Sequence, residues 1–133
     1  MILPIHALVA VVDGEKVHLY KNTGTETHLV LTKVPTPPLE TRTAGGTAPI
    51  SDTAHKEVRH EEEAQRAIAV ALTLNEMALH GQYEKLLAIA APRTLGELRK
   101  HWHKAVEQRL VGEVSKTLTN ATIEEIEKAV LEV

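Results

Sequence analysis

Apolar runs of two different periods alternate along the chain. Residues 5–12 and 86–91 are apolar almost without interruption, the pattern of strands covered on both faces. Between them, Lys16-Val17-His18-Leu19-Tyr20 alternates polar with apolar, as a half-buried strand does. Asp13-Gly14 supplies the hairpin turn that joins it to the first run. Asn22-Thr23-Gly24 marks a second turn, and a third strand follows near residues 28–34. The spacing then changes to that of a helix. Ala64, Ile68, Ala71, Leu72, Asn75 and Leu79 share one face of a long helix starting near residue 54 or 61 and ending at His80, with Gly81 as its C-cap. After strand 86–91, Pro92 opens a second helix running to about Arg109, in which Thr94 and Glu97 are spaced as a capping box. A strand near 110–114 and a helix from Thr122, again with a capping-box partner in Glu125, complete the chain.

The predicted order is β-β-β-α-β-α-β-α. It implies one α/β domain over 1–133, a mixed five-stranded sheet with helices on its faces. Residues 35 to about 55 interrupt the pattern. Pro35, Pro37, Pro38, Gly45, Gly46 and Pro49 sit among threonines with few apolar neighbours, which predicts a long flexible loop.

Composition narrows the function classes. The 133 residues suffice for one core without a metal or disulfide. A formal charge of -3 argues against a surface that coats nucleic acid throughout. The charge is uneven, however. Arg93, Arg99, Lys100, Lys104, Arg109 and Lys116 outnumber Glu97, Glu107 and Glu113, whereas the last seventeen residues hold four glutamates against Lys128. Cysteine is absent, which removes disulfides, thiol nucleophiles and Cys-based zinc sites. The apolar start lacks the positive region and cleavage site of a signal peptide, and no run reaches membrane length. The expectation is a cytoplasmic protein with no membrane contact.

Candidate chemistry is sparse. His55 and His60 with Glu61 fail as a metal site, because positions five apart do not share a helical face and no third ligand is evident. His101 and His103 lie about 200° apart on a continuous helix, so one metal cannot take both. Asp13 and Asp52 are the only aspartates, and no Ser-His-Asp order, carboxylate pair or phosphate loop stands out. The start of the second helix could receive a phosphate with help from Arg93. Against that, Thr94 and Glu97 would occupy its free amides, and Pro92 has none. Trp102 falls on the apolar stripe with Leu95, Leu98 and Val106, a core position rather than a base-stacking platform. Arg93, Arg99, Lys100, Lys104 and Arg109 are therefore the candidate anion- or RNA-binding residues. No cofactor or metal is expected, and no catalytic residue is assigned.

Several strings resemble a known family. They are Val11-Val12-Asp13-Gly14 before a basic strand, Glu61-Glu62-Glu63-Ala64-Gln65-Arg66, His80-Gly81-Gln82-Tyr83-Glu84-Lys85-Leu86, and Lys116-Thr117-Leu118-Thr119-Asn120. Most specific is Ala91-Pro92-Arg93-Thr94-Leu95-Gly96-Glu97-Leu98-Arg99. Together they resemble the host attachment family, proteins required for attachment to host cells. That family is similar in fold to the middle domain of archaeal and eukaryotic class 1 translation release factors, whose Gly-Gly-Gln loop promotes hydrolysis of peptidyl-tRNA. Here Gly45-Gly46 is followed by Thr47 rather than Gln. An Asp-Arg-Pro-Gly-Arg segment typical of the family is reduced to Arg42 and Ser51-Asp52, and Thr117 stands where the resemblance implies Asp. Arg42, Gly45, Gly46 and Asp52 are thus the candidate loop residues. The resemblance and the basic helix together imply a binding module that contacts RNA or the ribosome. A protein-interaction role in host attachment and a degenerate release-factor-like hydrolase are the alternatives.

Overall fold

The computed structural model describes residues 1–39 and 55–133, with side chains for all of these except 55–60. Five strands, β1 (Leu8–Val12), β2 (Val17–Asn22), β3 (Leu31–Val34), β4 (Leu86–Ala90) and β5 (Leu110–Ser115), form one sheet in the order β3-β2-β1-β4-β5. Strands β1, β2 and β3 pair antiparallel; β1 with β4 and β4 with β5 pair parallel. The helices are α1 (His55–Leu79), α2 (Pro92–His101), α3 (Lys104–Glu107) and α4 (Ile123–Leu131). The architecture is the mixed five-stranded α/β sheet that the pattern predicts, with α3 as an additional element.

All five residues of β1 and of β4 are buried, which explains why both read as unbroken apolar runs. On one face Ala10, Val12 and Ala88 pack under Val70 and Leu74 of α1 and Leu98 of α2. On the other, Val9, Val11 and Ile89 pack under Ile126 and Val130 of α4. Helices α1–α3 thus cover one side of the sheet and α4 the other.

The first strand starts later than the pattern predicts. His6 has φ 66°, and its amide bonds the Asn22 carbonyl at 2.8 Å, so the chain turns before Leu8 and leaves Ile5 exposed. The third begins at Leu31 because Thr25 and His28 close a turn, with the Thr25 amide donating to the His28 carbonyl at 2.9 Å. Buried Asn22 organises this corner: its Oδ1 accepts from the Gly24 amide and its Nδ2 donates to the Leu3 carbonyl, both at 3.0 Å. At the far end of α1 the Gly81 amide bonds Ala78 and the Gln82 amide bonds Met77. Gly81 at φ 68° permits this closure, so the predicted C-cap is present.

The second helix departs from its prediction in two ways. Its N-cap is Ala91 with Pro92 in the first turn, and no side chain caps it. Thr94 and Glu97 form no capping box, because the proline starts the helix three residues earlier than the box would require. Nor does the helix run on to Arg109. It stops at Trp102, whose extended backbone separates α2 from α3, and His103 caps α3 by accepting from the Ala105 amide. Asn75 of α1 spans the break, donating to the His101 carbonyl and accepting from the His103 amide at 2.8 Å each. The capping box of Thr122 and Glu125 on α4 is present as predicted.

Candidate functional site

The break between α2 and α3 divides the basic stretch, and each cation meets a different environment. Arg99 Nε donates to both carboxylate oxygens of Glu113 on β5 at 3.0 Å. Lys100 Nζ pairs with Glu97 at 3.0 Å. Arg109 is half-buried and braces the backbone, donating to the Tyr83 carbonyl at 3.1 Å and the Ala105 carbonyl at 2.8 Å. Arg93 and Lys104 are exposed. Of the five candidates, then, two face carboxylates and one serves the fold. Arg93, Arg99 and Lys100 are nevertheless exposed on α2, and Lys104 at the start of α3. Trp102 packs against the core of α1 and α2, as predicted. Its Nε1 is buried without a hydrogen-bond partner.

The parallel strands β1, β4 and β5 end on one side of the sheet, where four of the resembling strings meet. Asp13 Oδ1 accepts from the Glu15 and Lys16 amides at 2.6 Å, and its Oδ2 accepts from the hydroxyl of buried Thr119. Burial pushes the Asp13 carboxyl up. The Thr119 hydroxyl, the two amides and the Lys16 charge outweigh this and hold it below its usual value. Glu63 lies so close over Gly14 that a Cβ there would come within 2.3 Å of its Cγ. Beside this turn, Glu61, Glu63, Arg93, Thr94 and Glu97 line a cleft of about 270 Å³. The uncapped start of α2 opens here, but three carboxylates around it set a field that disfavours a phosphate.

The β1–β2–β3 meander carries cations outside the candidate set drawn from the sequence. His18 and Lys33 occupy diagonal positions on one face of the β2–β3 pair, since Lys33 sits opposite Tyr20. Lys16 Nζ reaches Asn120 Oδ1 at 3.3 Å. Burial, then the charges of Lys33 and Lys16, push the His18 pKa down, while Asp13 and the Thr119 backbone oppose the shift more weakly. Period-two alternation from Asp13-Gly14 was the available signal: it puts His18 on the face of Tyr20. Arg42, Gly45, Gly46 and Asp52 lie outside the described residues. Among the described residues, no group of three His, Asp or Glu side chains could hold a metal ion, and no helix is long and apolar enough to cross a membrane.

A mixed sheet of this order, with crossover helices on one face and four of the resembling strings gathered at the ends of its parallel strands, defines a small α/β domain. The family model for bacterial archaeo-eukaryotic release factor family 12 matches residues 6–130, and the chain belongs to that family. This match carries the release-factor side of the resemblance; attachment to host cells is no part of its description. No curated protein matches the chain.

Proposed function

We propose that this protein is a cytoplasmic binding module that contacts RNA or the ribosome through the outer side of α2 and the start of α3, and that it is not itself a peptide-releasing enzyme. The observation that carries the reading is membership of a release-factor family across residues 6–130. The exposed positions of Arg93, Lys100 and Lys104 support it. Thr47 in place of glutamine after Gly45-Gly46 favours binding without hydrolysis. Attachment to host cells, named by the sequence resemblance, is on this reading a phenotype served through a further protein partner.

Ribosome co-sedimentation tests the proposal. The native protein is expected to pellet with ribosomes at low salt and to be released as salt rises, because phosphate contacts return counterions to the RNA. A Lys100→Glu, Lys104→Glu variant leaves the Arg99–Glu113 pair intact and should pellet less. Absence of pelleting by the native chain, or pelleting indifferent to salt, would overturn the reading.

A further inference from the structure

We propose that Lys16, His18 and Lys33 form a second phosphate-binding patch, on the α4 side of the β1–β2–β3 meander, that takes the sugar–phosphate backbone of RNA. The inference rests on the RNA-contact reading above and assigns it a surface that the basic helix does not provide.

Geometry makes these three residues one site. His18 and Lys33 are diagonal neighbours across an antiparallel pair, a spacing of about 7–8 Å that lets two side chains reach one phosphate or two successive ones. Lys16 enters from the β1–β2 turn, steadied by Asn120. The bond between Asp13 and Thr119 ties that turn to the loop between β5 and α4, so the patch is built on two fixed segments rather than on a free hairpin tip.

The charge balance separates this patch from α2. Arg99 and Lys100 each already hold a carboxylate at 3.0 Å. Among the described residues, no carboxylate stands within ion-pair distance of Lys16 or Lys33. The nearby acids are engaged elsewhere: Asp13 spends its oxygens on two amides and a hydroxyl, and Glu127 of α4 accepts from the Leu31 amide at 2.7 Å. The field of the two lysines is felt at His18, where together with burial it disfavours a further positive charge. An arriving phosphate would relieve that field and allow His18 to donate from both ring nitrogens. Tyr20, on the same strand face as His18, packs in the core beneath α4, whereas α2 lies on the opposite side of the sheet. The two basic surfaces are therefore separable by mutation.

The test is binding of a fluorescein-labelled mixed-sequence single-stranded RNA, followed by anisotropy across a salt series. It compares the native protein, Lys16→Glu with Lys33→Glu, the milder Lys16→Gln with Lys33→Gln, and Lys100→Glu with Lys104→Glu, each first shown to unfold cooperatively. Loss of two phosphate contacts should weaken binding of the Gln pair at least about tenfold and lower the slope of log K against log salt by about 1.4. The Glu pair should bind more weakly still. Native affinity and slope in a folded hairpin variant, with binding lost in the α2 variant, would overturn this patch and leave the proposed function standing. Failure of the native chain to bind RNA or ribosomes would overturn both. Binding lost in the hairpin variants but kept in the α2 variant would uphold the patch and remove α2 as the contact.

Discussion

Asp13 shows how much one side chain can fix at the end of a sheet. It closes the β1–β2 turn through two amides and holds the β5–α4 loop through Thr119. Because its pKa is lower folded than unfolded, its ionised form contributes stability above pH about 4, and this is lost as pH falls through the folded value. Asp13→Asn should cost about 1–2 kcal/mol at neutral pH, with the loss shrinking toward pH 3. Urea midpoints of both proteins at pH 7 and pH 3 check this; an equal gap at both would mean the charge is not what matters. The sequence made the turn legible, because Asp-Gly between apolar runs has a local mechanism. It hid the bond to Thr119, since nothing in a string of residues says that positions 13 and 119 meet.

At the scale of elements, the long apolar-periodic and unbroken segments are legible in the sequence, and the differences fall at the boundaries of strands and helices. The same Thr-x-x-Glu spacing occurs at Thr94 and at Thr122, yet only the second caps a helix. Pro92 decides the difference. It needs no donor partner and carries a helical φ, so α2 begins at the proline and Thr94 is already inside it. Thr122→Ala should therefore destabilise the protein by about 1 kcal/mol, whereas Thr94→Ala should change stability by less than about 0.5 kcal/mol. Chemical denaturation of the two variants separates them, and equal losses would contradict the assignment of the caps. The continuous basic helix is likewise an inference from local pattern, since Leu95, Leu98, Trp102 and Val106 keep a helical stripe through the break. The Trp102 break depends on Asn75 of α1, which satisfies the exposed backbone on both sides of it, and that is a tertiary contact. For the candidate site, sequence located cations but not their partners. Glu113 and Glu97 neutralise what composition had counted as free charge.

For the whole molecule, the decisive feature is that β1, formed from residues 8–12, lies beside β4, formed from residues 86–90. The strand at the centre of the sheet is thus made first and completed late. Closing a loop of roughly 75 residues costs on the order of 4 kcal/mol in chain entropy before any contact is returned. Until then Leu-Val-Ala-Val-Val has one paired side and one bare side, the kind of apolar, uncharged β segment that associates with its like. A chain cut after Lys85 should accordingly be insoluble or unfolded by circular dichroism, while one carried through α4 is soluble and cooperative. A folded, monomeric 1–85 fragment would show the meander to be self-sufficient. As it emerges from its own synthesis, this member of a release-factor family therefore spends most of its translation with its most aggregation-prone strand unprotected. Its yield in the cell should follow the speed of elongation across residues 13–85 and the supply of chaperones that bind bare strands.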